Sequence, residues 1–129
     1  METRFRQDLV AWLRTDAILA ASCNAIEEES PLAATAPWIG VAASASAEWG
    51  GKGVTGREVR VAFELVDRCD DTEATAALVA ALETRIATMP ASQPGYRVVV
   101  TNFMRSRAER RPRGMRAVLV EYRFKLLVE

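Results

Sequence analysis

Arg57–Asp67 reads REVRVAFELVD, and its alternation decides the fold. Val59, Val61, Phe63 and Leu65 fall on one side of an extended chain and Arg60, Ala62, Glu64 and Val66 on the other, the period-two pattern of a half-buried strand. Such a strand needs a second layer against its apolar face. On its C-terminal side Asp71 or Thr72 offers a helix N-cap, Glu73 suits the first turn, and Leu78, Leu82 and Ile86 form an i, i+4 stripe that stops before Pro90. The predicted layer is therefore an amphipathic helix. On its N-terminal side, Glu48–Gly56 holds four glycines between Gly50 and Gly56, which predicts a flexible connection between strands. The strand before it spans Pro37–Ala43, with Trp38 on one face and Ile39, Val41 and Ala43 on the other.

Farther out, Phe5, Leu9, Trp12, Leu13 and Ile18 recur at helical spacing from Glu2 to about Ala21, with Asp16 placed to cap a second short turn. Cys23–Ala36 contains Glu27-Glu28-Glu29-Ser30-Pro31 and reads as a loop, because proline stops a helix. Tyr96–Met104 and Met115–Val128 alternate as two further strands, the second with Val118, Val120, Tyr122, Phe124 and Leu126 on one face. The expected order is α-β-β-α-β-β, an α+β fold with two helices packed on one face of a four-stranded, mainly antiparallel sheet. At 129 residues, half of them apolar, residues 1–129 are read as a single domain with an ordinary core.

Composition excludes several chemistries. The chain has no histidine, and Cys23 and Cys69 lie far apart with no CxxC pair, which removes zinc-finger spacing and histidine-based catalysis. No paired nucleophile and base is visible, so an enzyme is not expected. Gly50-Gly51-Lys52-Gly53 lacks the hydroxyl residue a phosphate-binding loop needs after its lysine. Asp67, Asp70, Asp71 and Glu73 form an acidic cluster, but an EF-hand starting at Asp67 would need glycine and glutamate where Thr72 and Leu78 stand. Helix-start electrostatics or an intersubunit salt-bridge patch, through Asp70 and Asp71, are the readings left. No cofactor or metal is called for. The N-terminal stretch METRFRQDLVAWLR is charged from its second residue, unlike a signal peptide or a membrane span, so synthesis in the cytoplasm is expected.

Formal charge cancels at 17 basic against 17 acidic residues, yet it is segregated. Residues 1–95 carry 8 basic and 14 acidic side chains, and residues 96–129 carry 9 and 3. Six arginines crowd into Met104–Arg116: Arg105, Arg107, Arg110, Arg111, Arg113 and Arg116. They are expected on the connection between the last two strands, where they solvate a loop, pair with an acidic protein surface or meet a phosphate backbone. The strands lack the aromatic signature of base-stacking RNA-binding sheets. Trp49, in the glycine-rich connection, either folds over the sheet edge or anchors an interface.

Taken in order, "LVAWLRTDAILA", "APWIGV", "EVRVAFELVDR", "EATAALVAALETRI" and "AVLVEYRFKLLVE" resemble the tail-completion or tail-terminator proteins of long-tailed bacteriophages and gene transfer agents. That resemblance covers nearly the whole chain. It implies a structural virion protein that forms a ring, commonly a hexamer, on the last ring of tail-tube protein. There it ends tail polymerisation and joins the tail to the head through a connector or stopper protein, with DNA passing through the lumen and no membrane involved. The implied place is the head–tail junction of a virion or gene-transfer-agent particle. Segregated charge suits head-to-tail contacts that close into rings. Arg105, Arg107, Arg110, Arg111, Arg113, Trp49, Asp70 and Asp71 are then the expected interface or DNA-channel residues. The alternative is a stand-alone nucleic-acid-binding α+β domain that uses the arginine-rich hairpin.

Overall fold

A computed structural model describes residues 1–31 and 33–129. Its elements are α1 (Glu2–Arg14), α2 (Ala17–Ser22), β1 (Ala25–Glu27), β2 (Trp38–Gly51), β3 (Val54–Arg68), α3 (Thr72–Ala87), β4 (Ser92–Gln93), β5 (Tyr96–Arg111) and β6 (Met115–Val128). The class is α+β as expected. The sheet has six strands instead of four, in the order β1-β2-β3-β6-β5-β4. Both additions are short edge strands. β1 pairs parallel with Trp38–Gly40 inside the segment expected to be a loop, of which Leu32 lies outside the described residues. β4 pairs antiparallel with Tyr96 and Arg97.

The helices form where their caps predict, but the break before α2 turns Ile18, expected on the first apolar stripe, outward to 59% exposure and buries Leu19 in its place. Asp16 accepts from the Leu19 amide at 3.0 Å and starts α2 after a break at Thr15, and Asp71 does the same for α3 through the Ala74 amide at 3.0 Å. Each bond satisfies an amide that the first turn leaves unpaired. α1 turns Phe5, Leu9, Val10 and Leu13 inward, and α3 turns Thr75, Leu78, Leu82 and Ile86 inward. They bury one face of the sheet through Val59, Val61, Phe63 and Leu65 of β3 and Val120, Tyr122, Phe124 and Leu126 of β6. At roughly 1.5–3 kcal/mol for each large apolar side chain removed from water, this layer supplies most of the driving force.

α1 and α3 are also locked to each other. The Arg85 guanidinium lies 3.4 Å from the Trp12 ring centroid. Trp12 donates its indole N–H to the Arg85 carbonyl at 2.7 Å, and Arg85 Nε donates back to the Trp12 carbonyl at 3.1 Å. Tyr96 ties β5 to α1 by donating to Asp8 at 2.6 Å.

Two expected connections are mostly strand. The glycine-rich segment continues β2 and β3 to a two-residue turn at Lys52-Gly53, where Gly53 takes φ +77. The arginine segment continues β5 as far as Arg111, so only Pro112, Arg113 and Gly114 form the turn. A register shift between Val41 and Ala43 also moves Ala43 off the apolar face expected for it, onto the face shared with Ala62.

Candidate functional site

Paired residues of neighbouring strands share a face, so the registers assign every strand side chain to one of two sides. The side away from the helices is open over most of its area. β2 contributes Ala43, Ala45 and Ala47, all exposed, and these small side chains leave the backbone approachable. β3, β6 and β5 contribute the charges. Eight are basic: Arg60, Arg68, Arg97, Arg105, Arg107, Arg111, Arg123 and Lys125. Four are acidic: Glu58, Glu64, Glu109 and Glu121. This face is therefore net +4, and because the whole chain is neutral the remainder is net −4. Charge separated along the sequence becomes charge separated across the sheet.

Each of the four carboxylates has an arginine. Arg105 pairs with Glu121, and their hydrogen bond followed by their mutual charge raises the arginine's pKa, while the same hydrogen bond lowers the glutamate's. Arg123 Nε stands 3.5 Å from Glu58 Oε1, an ion pair by distance that completes no hydrogen bond. Arg107 is 3.8 Å from Glu109. Arg111 reaches both Glu109, at 2.8 Å, and Glu64, at 3.1 Å. Desolvation pulls the Arg111 pKa down, but hydrogen bonds to Glu109 and Glu64 with their charges raise it overall.

Glu64 is the exception among these groups because it is buried, at 5% exposure. The chain around Glu29-Ser30 folds over this end of the face, so closely that a Cβ on Gly40 would stand 2.9 Å from the Glu29 carbonyl oxygen. Ser30 donates its hydroxyl to Glu64. Arg111 is thus structural, the electrostatic partner of a carboxylate covered by the loop.

The structure does not gather the expected site residues into one place. Arg105, Arg107 and Arg111 lie on the open face, whereas Arg110 pairs with Arg116 and lies on the helix side. Arg113 caps the β5–β6 turn, exposed and at φ +62, a left-handed conformation that costs a non-glycine residue about 1–2 kcal/mol. Trp49 stands in β2, half-buried on the open face, its ring against Gly56 and 5.1 Å from Lys125 Nζ. Asp71 is occupied as the α3 cap, and Asp70 is exposed in the turn before it. Arg60, Arg123 and Lys125 were not singled out in the sequence, although the alternation of β3 and β6 places them on the solvent side.

A shallow hollow of about 480 Å³ crosses the open face from Ala43 and Ala45 past Arg60 and Ala62 to Met104, Arg105 and Glu121. Its lining, which also includes Ser44 and Tyr122, offers charge and shape, and the Ser44 hydroxyl accepts from Arg6 at 3.2 Å. Cys23 sits outside it, and burial first, with the charge of Asp67 second, pushes its thiol up to about 11. Among the described residues no helix is long and apolar enough to cross a membrane.

Residues 7–127 match the family model described as tail completion protein gp17. A chain of the solved structure titled "Virion of native gene transfer agent (GTA) particle" has the same fold, with a TM-score of 0.76 at 19% identity over 95% of this chain and 93% of that one. No curated protein matches the chain.

Proposed function

The chain belongs to the tail completion protein gp17 family, structural proteins of phage tails, and from that membership we propose that it forms a ring at the end of a tail tube. In this reading the ring stops tail polymerisation and joins the tail to the head in a phage or a gene transfer agent. The observation that carries it is the family match over nearly the entire chain. The two-sided charge supports it. A ring that turns its open sheet faces inward presents net +4 per subunit to DNA in the lumen. The acidic remainder is then available to neighbouring tail-tube and connector or stopper subunits.

The fold also sorts the arginines. Arg111, in part Arg105, and more loosely Arg107, at 3.8 Å from Glu109, meet carboxylates within the subunit; we assign Arg107, Arg110 and Arg113, all exposed, to contacts outside it. Trp49 and Asp70 complete the candidate contacts, with Asp71 held in place by its cap. Hexameric closure fits this family-derived role, and no step of it requires a reaction. Electron microscopy of particles from cells lacking the gene tests the proposal: tails of irregular length, not joined to heads, are expected. Uniform tails attached to heads would overturn it.

The basic face also favours a second reading, a stand-alone nucleic-acid-binding domain. If five arginines neutralised five phosphates, duplex affinity would fall with salt at a log–log slope of roughly −4 to −5. Pairing within the face lowers that expectation. The purified subunit should bind labelled duplex measurably only at low salt, and submicromolar binding near physiological salt would promote the second reading.

A further inference from the structure

Both long edges of the sheet are open. β1 covers only Trp38–Gly40 of β2, and β4 covers only Tyr96 and Arg97 of β5. Among the described residues no strand lies on the outer side of Val41–Gly51 or of Val99–Arg111. Each edge therefore presents a row of backbone N–H and C=O groups with no strand partner, the template on which another strand adds.

The two edges differ in character. That of β2 is small and weakly polar, with Ala42, Ala43, Ser44, Ala45, Ser46 and Ala47 all exposed. That of β5 is large and apolar between its arginines: Val99, Phe103 and Met104 are 39%, 46% and 42% exposed. Phe103 is on the helix side, where its pairing with Tyr122 should make it core. Beside the same edge a groove of about 490 Å³ runs between α3 and β5, lined by Ala76, Val79, Ala80 and Ala108 among others. One further strand beside β5 would cover Phe103 and set its helix-side residues along this groove.

Strand direction selects the occupant. The four long strands alternate in direction across the sheet as β2, β3, β6 and β5, so β2 and β5 run oppositely. A second copy rotated about an axis along the strands brings its β2 antiparallel to β5 of the first, and the alternation continues unbroken. The small side chains of β2 fit against the bulky β5 edge, where two bulky edges would collide. Because the joined edges are opposite sides of one subunit, the contact is head-to-tail and repeats around a ring.

We propose that the open β2 edge of one copy pairs antiparallel with the open β5 edge of the next, making one continuous sheet whose charged open face lines the ring. This rests on the ring reading above and names its subunit contact.

Engineered cysteines test it. Ala45, Asn102 and Arg105 all lie on the open face. In one subunit Ala45 and Asn102 are separated by three strand spacings of ~4.8 Å, roughly 14 Å, too far for a disulfide. Ala45→Cys would be combined in turn with Val100→Cys, Asn102→Cys or Arg105→Cys, covering neighbouring registers, in a Cys23→Ser, Cys69→Ser background. Particles carrying each pair would be oxidised and probed on a non-reducing denaturing gel. The expected result is a ladder of covalent multiples for at least one pair and monomer for each single cysteine. Monomer from all three pairs, in particles whose tails end and join normally, would overturn edge pairing while leaving the ring reading intact. Loss of that reading would show separately, as normal tails without the gene.

Discussion

Arg111→Ala should destabilise the isolated subunit, although Arg111 belongs to a segment that reads as a connection whose arginines face solvent or a partner. Its guanidinium stands 3.1 Å from a Glu64 side chain that is only 6% exposed. Removing one partner of a buried pair costs roughly 3–5 kcal/mol, because the other charge is stranded. Arg111 is itself a third exposed, and Ser30 still donates to Glu64 in the variant, so screening and the remaining bond reduce the figure to about 2 kcal/mol. With a urea dependence of about 1–3 kcal/mol per molar for a domain of this size, the midpoint should fall by roughly 1 M. Arg107→Ala and Arg110→Ala, whose heads are exposed, should stay within about 0.5 kcal/mol of the parent. Combining Arg111→Ala with Glu64→Leu should recover much of the loss, since no carboxylate is then stranded. An Arg111→Ala midpoint indistinguishable from that of Arg107→Ala would refute the reasoning and return Arg111 to the surface class.

Arg85→Ala should lower stability by about 2 kcal/mol in thermal melts, since it removes the stack on Trp12 and donors to two oxygens of α1 and the turn after it; Arg85→Lys should recover only part of this. Arg113→Gly should stabilise the subunit slightly, by about 0.5 kcal/mol in urea unfolding, because glycine takes φ +62 without the left-handed penalty and loses part of that gain to its own unfolded-state freedom. Cys23 should resist alkylation at pH 8 in the folded protein, roughly a hundredfold relative to a thiol of pKa 9, as followed by mass spectrometry with and without denaturant. Since its folded pKa is the higher one, its contribution to stability is intact below pH 9 and is lost as pH rises toward 11. Phe103→Ser should lower the subunit's stability only modestly, by about 1–2 kcal/mol, since Phe103 is 46% exposed and packs edge-on against Tyr122, and should impair particle assembly, scored by electron microscopy, beyond what that loss explains.

What the sequence made legible follows the periodicity of apolar residues. Val59 to Leu65, Val118 to Leu126 and Leu78 to Ile86 repeat cleanly because each buries one side against a second layer, and their elements form as read. RSRAERR, from Arg105 to Arg111, has no apolar alternation. It is strand because it hydrogen-bonds to β6, whose own pattern is strong, and a partner's support is invisible in a segment's composition. Ala25–Glu27 and Ser92–Gln93 are too short to show a period. The loop over Glu64 was hidden for a similar reason. Glu64 occupies a solvent-side position in REVRVAFELVD, and only the approach of Glu29-Ser30 to Gly40 turns that position into a buried one. The candidate arginines were therefore visible as a group, while their division between structural and free members depended on contacts 47 residues away in sequence.

The arrangement of Glu58, Glu64, Glu109 and Glu121 among the arginines has a kinetic consequence for any polyanion that moves along the open face. Each guanidinium beside one of these groups already has an anion within reach. An arriving phosphate must displace or share that resident anion, so the free energy gained is the difference between two similar ion pairs and not the whole of one. Isolated arginines would make deep wells at fixed positions. Where a carboxylate is resident the well is made shallower, so a long charged chain is kept close to the wall mainly by Arg60, Arg68, Arg97 and Lys125 while the paired arginines add little to its barrier to sliding.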